Sequence, residues 1–94
     1  MTTYKAAIIN PDIINSANID IVLIMVDDTI ISQQIVCEKI RKSARIFFST
    51  QYVYLVGKDV FGKISYWGTD DNILKFLSRI DLNSLEWQIF YDRC

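Results

Sequence analysis

The sequence contains no histidine, which removes the most common catalytic base from the chain. Without an imidazole the usual serine and cysteine triads cannot form, and the common catalytic zinc sites lose their ligands. There are only two cysteines, Cys37 and Cys94, too few for a disulfide framework. We therefore expect a protein that is not an enzyme and that uses neither a metal ion nor a cofactor.

Glycine and long apolar runs are also scarce. Three glycines cannot build a Walker A or GxGxxG phosphate loop. The longest apolar run, Ile21 to Val26, has six residues, whereas a helix that spans a bilayer needs about twenty. The opening "MTTYKAAIIN" has too short an apolar stretch for a signal peptide. These features predict a cytoplasmic protein with no membrane segment.

What the chain does contain is the composition of a globular domain, with 51% hydrophobic and 22% charged residues. A length of 94 residues predicts one domain over 1–94, with a strand or turn in 1–18 and a core over 19–92. Within the core the periodicities predict, in order, a strand at 19–26, a helix at 27–45, a hairpin at 51–68, a helix at 69–80 and a strand at 85–92.

This β-α-β-β-α-β order predicts an α+β fold of the ferredoxin-like kind, a split βαβ sandwich with an antiparallel sheet and two helices on one face. The strands that begin near Ile19 and Gly62 would be central, and those that begin near Gln51 and Leu85 would form the edges. An extra N-terminal strand around Tyr4 to Ile9 would extend one edge. A hairpin of that strand with Ile19 to Val26 is the competing topology.

The hairpin from Gln51 to Gly68 carries five aromatic rings in eighteen residues. The predicted fold leaves one sheet face open, so the alternation of a strand directs one set of large side chains into water. Tyrosine and tryptophan are favoured at protein interfaces. We therefore predict partner-binding residues on this face, drawn from Trp67, Phe90, Tyr52, Tyr54 and Tyr66.

Charge is unevenly distributed along the chain. Residues 1–35 carry one lysine against four aspartates, residues 36–63 six basic against two acidic side chains, and residues 64–94 three basic against five acidic. The basic block contains a predicted patch on one helix face, Lys39, Arg41, Lys42 and Arg45. Such a face is usually only solvated, and its sharper interpretation is a site for an acidic partner or for phosphates. The aspartate pairs 27–28 and 70–71 each open a helix, which favours capping over metal binding.

These observations favour a small protein that acts by protein–protein interaction, as an inhibitor, an immunity protein or a phage-type blocking protein. Its partner is another protein or a second copy of itself, as a homodimer. The first alternative is a nucleic-acid-binding module that uses the helix face around Arg41, which a pI near 5.2 disfavours. An RNA-recognition domain that stacks bases on its sheet is disfavoured because the first central strand has no aromatic residue. The second alternative is a regulatory domain that binds a small ligand.

Overall fold

A computed structural model describes residues 2–9 and 20–92. Its five strands form one mixed sheet in the order β4-β3-β2-β1-β5, which confirms the predicted α+β class. The turn predicted within residues 1–18 and the second cysteine, Cys94, lie outside the described residues. The elements are β1 (Thr2–Ile9), β2 (Ile21–Asp27), α1 (Asp28–Ile31), α2 (Gln34–Phe48), β3 (Val53–Lys58), β4 (Ile64–Trp67), α3 (Asp71–Leu77), a 3-10 helix (Leu82–Ser84) and β5 (Gln88–Asp92).

Strands β2 and β3 run parallel at the middle of the sheet and are buried on both faces. The first four residues of each strand are no more than 3% exposed. Apolar residues in both alternating sets are typical of strands covered on two sides. The parallel pair therefore requires helices above and below the sheet.

The two faces of the sheet are covered by different helices. On one face Val22 and Ile24 of β2 pack in a cluster that includes Cys37 and Ala44 of α2. On the other face the alternate residues of β2 pack in a second cluster with α3 and the 3-10 helix, through Ile21, Leu23, Ile73, Leu77 and Leu82. The core is thus divided into two layers by the sheet.

The ferredoxin-like topology is not confirmed. The sheet is mixed rather than antiparallel, and α2 and α3 lie on opposite faces instead of one. Strand β1 does not extend an edge, because it lies between β2 and β5. The hairpin of β1 with β2, the competing topology, is the one observed. The reason is that β3 is apolar on both faces and occupies the central place that the prediction assigned to the strand after Gly62.

The first predicted helix is divided in two. Helix α1 ends at Ile31, and α2 begins at Gln34 and continues to Phe48, three residues beyond the predicted end. Cys37 joins the two parts, since its thiol donates to the carbonyl oxygen of Ile30 at 3.1 Å. This arrangement lets α1 pack over the end of β3 while α2 covers the rest of the face.

The aspartate pairs do open helices, as predicted. Asp70 caps α3, because its carboxylate Oδ1 accepts the backbone N–H groups of Asn72 at 2.8 Å and Ile73 at 3.4 Å. Asp27 occupies the equivalent position before α1 without a capping hydrogen bond from its side chain. The side chain of Asp70 therefore caps α3, whereas Asp27 lies at the N-cap position of α1 and its side chain forms no capping hydrogen bond.

Gly68 follows β4 directly against the ring of Tyr54. A Cβ atom at position 68 would overlap ring atoms Cδ2 and Cε2 of Tyr54, and that ring is only 3% exposed. The tyrosine has no free space into which it could retreat, because packed interiors contain few voids. The absence of a side chain at Gly68 is therefore what allows Tyr54 to lie across the end of β4.

We expect Gly68→Ala to lower the free energy of unfolding by about 1–3 kcal/mol, the usual effect of overpacking. The measurement is urea denaturation of the parent, the single variants Gly68→Ala and Tyr54→Ala, and the double variant. The substitution at 68 should cost much less when the ring of Tyr54 has been removed. Equal costs in both backgrounds would show that this contact is not the cause.

Candidate interaction surfaces

The five predicted partner-binding rings do not share a surface. Trp67 and Phe90 pack against the cluster that α2 covers, and Tyr52, Tyr54 and Tyr66 pack against the cluster that α3 covers. Tyr54 is buried and the other four are half-buried. The alternation therefore separates the rings as the sequence indicates. Helices cover β2 and β3 on both sides, so these strands have no open face, whereas Ile89 and Tyr91 of β5 are 50% and 58% exposed. A contact between the half-buried rings and a partner stays a prediction.

Phe90 belongs to a group of four aromatic rings that holds three elements together. Its centroid lies 5.0 Å from that of Phe48 and 6.4 Å from that of Phe47, both in edge-to-face geometry. Tyr4 of β1 completes the group, with its centroid 5.5 Å from that of Phe47 and its hydroxyl 2.9 Å from Ser43 Oγ. This group fastens β1 and β5 to α2, which gives Phe90 a structural role.

The most exposed large apolar residues lie at the tip of the β3–β4 hairpin. Val60 is 93% exposed and Phe61 is 92% exposed. We call these two residues the hairpin tip. A phenylalanine this exposed is unfavourable in water, and contiguous exposed apolar side chains often mark a site of interaction.

The backbone of the hairpin tip is held by a network centred on Asp59. The carboxylate Oδ1 of Asp59 accepts the N–H groups of Phe61 at 2.9 Å and Lys63 at 2.8 Å. The carbonyl oxygen of Asp59 accepts the N–H of Gly62 at 3.0 Å. Gly62 has a φ of 85°, a conformation that glycine adopts without steric cost. Gly57, at the other end of the turn sequence, lies within β3 and has no positive φ.

The sequence contained a signal for the hairpin tip that the partner-binding prediction did not use. Turns are normally built from polar residues and glycine, because their side chains face water. The turn "GKDVFG" instead places a valine and a phenylalanine at its centre. Two large apolar residues in a predicted turn are thus better evidence of an interaction site than aromatic residues on a strand, because the side chains of a strand can be buried in the core.

The predicted basic patch is brought together on α2. Lys39 and Lys42 are exposed, while Arg41 and Arg45 are half-buried. Arg41 Nη1 lies 3.6 Å from Glu38 Oε2, so part of this charge is balanced on the helix itself. The patch therefore exists as a surface, and its function stays a prediction.

The outer face of α2 also carries exposed isoleucines. Ile35 is 74% exposed and Ile46 is 81% exposed, and with Lys39 and Lys42 they follow the spacing i, i+4, i+7, i+11 along one helix face. A helix face that contacts phosphates gains nothing from exposed isoleucine. The exposed isoleucines on this face thus argue against a surface built only to contact phosphates.

The described residues contain no cluster of metal ligands. No group of three histidine, cysteine, aspartate or glutamate side chains within 2–9 and 20–92 could hold a metal ion. The thiol of Cys37 is buried, and this burial raises its pKa, which leaves it protonated and unreactive at neutral pH. In the same part of the chain, no helix is long and apolar enough to cross a membrane.

No protein-family model matches the chain, and searches of curated proteins and of solved structures find no match either. Function therefore has to be argued from the surfaces of this chain alone.

Two tyrosines on the α3 face, Tyr54 and Tyr66, should make the free energy of unfolding decrease at alkaline pH. Burial raises the pKa of the Tyr54 hydroxyl, although hydrogen bonds with the Asp70 backbone and Thr69 partly offset it. Burial also raises the pKa of Tyr66. Because these pKa values exceed the unfolded value of about 10, the neutral hydroxyls stabilise the fold fully below that pH. The contribution is lost as pH rises through the folded-state pKa values.

We expect the free energy of unfolding, measured by urea denaturation, to fall as the pH is raised above about 10. Lysines titrate in the same range, so the decline of the parent must be compared with that of the double variant Tyr54→Phe/Tyr66→Phe. The double variant should decline less steeply. Parallel declines would rule out these two hydroxyls as the source.

Proposed function

We propose that the protein acts by binding another protein and that the hairpin tip enters an apolar pocket of this partner. The observation that carries the proposal is the exposure of Val60 and Phe61, at 93% and 92%. Full burial of a valine or phenylalanine side chain contributes roughly 1.5–3 kcal/mol. Hot-spot residues cluster near the centre of an interface in well-packed pockets, which is the position proposed for Phe61 with Val60 beside it.

The rigidity of the turn supports this proposal. Both hydrogen bonds to Asp59 Oδ1 and the hydrogen bond between Gly62 and the Asp59 carbonyl fix the backbone on either side of the tip. A loop that is already ordered loses little conformational entropy when it binds. The hairpin tip is thus presented to a partner in a set conformation, as in proteins that block a preformed pocket.

Charged side chains border the hairpin tip. Lys58 and Lys63 flank it along the hairpin and are exposed, and Ile64 next to them is 39% exposed. An apolar centre with a polar rim is the common organisation of a protein interface. This pattern suits an inhibitor, an immunity protein or a phage-type blocking protein that works in the cytoplasm. Self-association through the same tip would give the homodimer.

Nucleic-acid binding through the patch of Lys39, Arg41, Lys42 and Arg45 remains the second candidate. Its support is the collection of four basic residues on one helix. The exposed Ile35 and Ile46 on that helix argue against it, as does the ion pair between Arg41 and Glu38. Binding to phosphates should weaken steeply with added salt, whereas binding through the hairpin tip should not.

We expect Phe61→Ser and Val60→Ser each to remove a bound partner from the set captured out of a lysate of the source organism. The loss of binding free energy should be about 2 kcal/mol or more for Phe61→Ser, as for a hot-spot residue. The free energy of unfolding should change by less than about 0.5 kcal/mol, because the side chain is exposed. Capture is followed by measurement of the dissociation constant for the purified pair.

The matched control is Ile46→Ser, which removes an apolar side chain of similar exposure, 81%, from the outer face of α2. Its captured set should equal that of the parent. If the Ile46 variant loses the partner while the two tip variants keep it, the interaction surface is α2 and not the hairpin tip. Sedimentation of the parent and of Phe61→Ser at several concentrations tests the homodimer separately.

A further inference from the structure

A groove of about 440 Å³ lies on the α3 face of the sheet, at the end where β2 and β3 finish. Its apolar lining includes Met25 of β2, Ile64 of β4, and Leu82 and Trp87 from the segment between α3 and β5. The indole of Trp87 is held in place because its Nε1–H donates to the carbonyl oxygen of Leu82 at 2.9 Å. The volume lies in the range of small-molecule sites, and five of the nine lining residues are apolar.

Two lysines border this groove from different strands. Lys5 pairs with Met25 across β1 and β2, and Lys58 ends β3 beside Asp27. Both lysines also border a second groove of about 610 Å³ that adjoins the first around this end of the sheet. They therefore stand where the two grooves meet.

The ammonium groups of these lysines are not neutralised by ion pairs within the described part of the chain. Across residues 2–9 and 20–92 the only ion pair shorter than 4.0 Å is that of Arg41 with Glu38. The one acidic residue of the groove, Asp81, accepts the backbone N–H of Asn83 at Oδ1, at 3.0 Å, and is not paired with either lysine. The groove thus combines apolar side chains with two lysines and one carboxylate, a net formal charge of +1.

We propose that this groove binds a free amphipathic carboxylate, a medium-chain fatty acid or a similar aliphatic acid. The chain of the ligand lies against Met25, Ile64, Leu82 and Trp87, and its carboxylate is shared by Lys5 and Lys58. A compact anion without an apolar part would leave the walls in water, and a neutral chain would leave the lysines without a partner. The groove shares Lys58 and Ile64 with the border of the hairpin tip but includes neither Val60 nor Phe61, and the inference goes beyond the proposed function.

Isothermal titration calorimetry with decanoate, below its micelle concentration, tests the inference on the unmodified chain. We expect saturable binding at one site, and each methylene added from hexanoate to decanoate should raise the affinity by about fourfold. The alcohol 1-decanol should bind at least threefold more weakly. Neutral phospholipid vesicles that contain oleate present the same carboxylate in a bilayer, and they should leave the protein in solution.

The variants Lys5→Gln and Lys58→Gln should each raise the dissociation constant of decanoate by roughly three- to fivefold, as for exposed ion pairs. The control Lys75→Gln removes an exposed lysine of α3 that does not border the groove and should leave it unchanged. Bound decanoate should also shift the fluorescence of Trp87 in a Trp67→Phe background. The inference is overturned if decanoate does not saturate, if 1-decanol binds equally well, if the three lysine variants behave alike, or if the protein sediments with the vesicles.

Discussion

The parallel pairing of β2 with β3 is the constraint on which the rest of the fold depends. The pairs run from Val22 with Val53 to Asp27 with Lys58. Parallel neighbours need a long crossover between them, which α1 and α2 supply. Because both strands are apolar in both alternating sets, one crossover layer cannot bury them. A second layer, α3 with the 3-10 helix, is required on the opposite face.

This double burial determines where interaction surfaces can exist. Most of the large rings are buried or half-buried in the two core layers, so β2 and β3 have little apolar surface left to offer a partner. The hairpin tip and the groove both lie at the end of the sheet where β2 and β3 finish. In sheets with parallel strands the carboxyl ends are a common place for binding sites, because the connecting segments diverge there.

Much of the local structure could be predicted from the sequence, and the topology could not. The alternation sorted Tyr54 from Trp67 correctly, and the continuous apolar run placed β2 at the centre. The segment "VYLV" of β3 has the same continuous apolar pattern, which indicates a central strand, although the ferredoxin-like prediction places this strand at an edge. No sequence pattern indicates which face of the sheet α3 covers. The right-handed crossover rule applies only to parallel strands, and the strands that α3 connects, β4 and β5, run in opposite directions.

The two candidate sites, the hairpin tip and the groove, also differ in how far they could be predicted from the sequence. The hairpin tip is a local feature, so its apolar turn could be seen in the sequence. The groove brings together Lys5, Lys58 and Trp87, which come from three distant parts of the chain. Only the register of the sheet decides that these residues share one space, and register is set by packing over the whole domain.

The pairing of β1 with β5, from Thr2 with Asp92 to Ala6 with Gln88, has a consequence for synthesis. Until β5 has left the ribosome, β1 is an edge strand with free hydrogen-bonding groups, so the nascent chain stays open to mispairing until almost every described residue has been made.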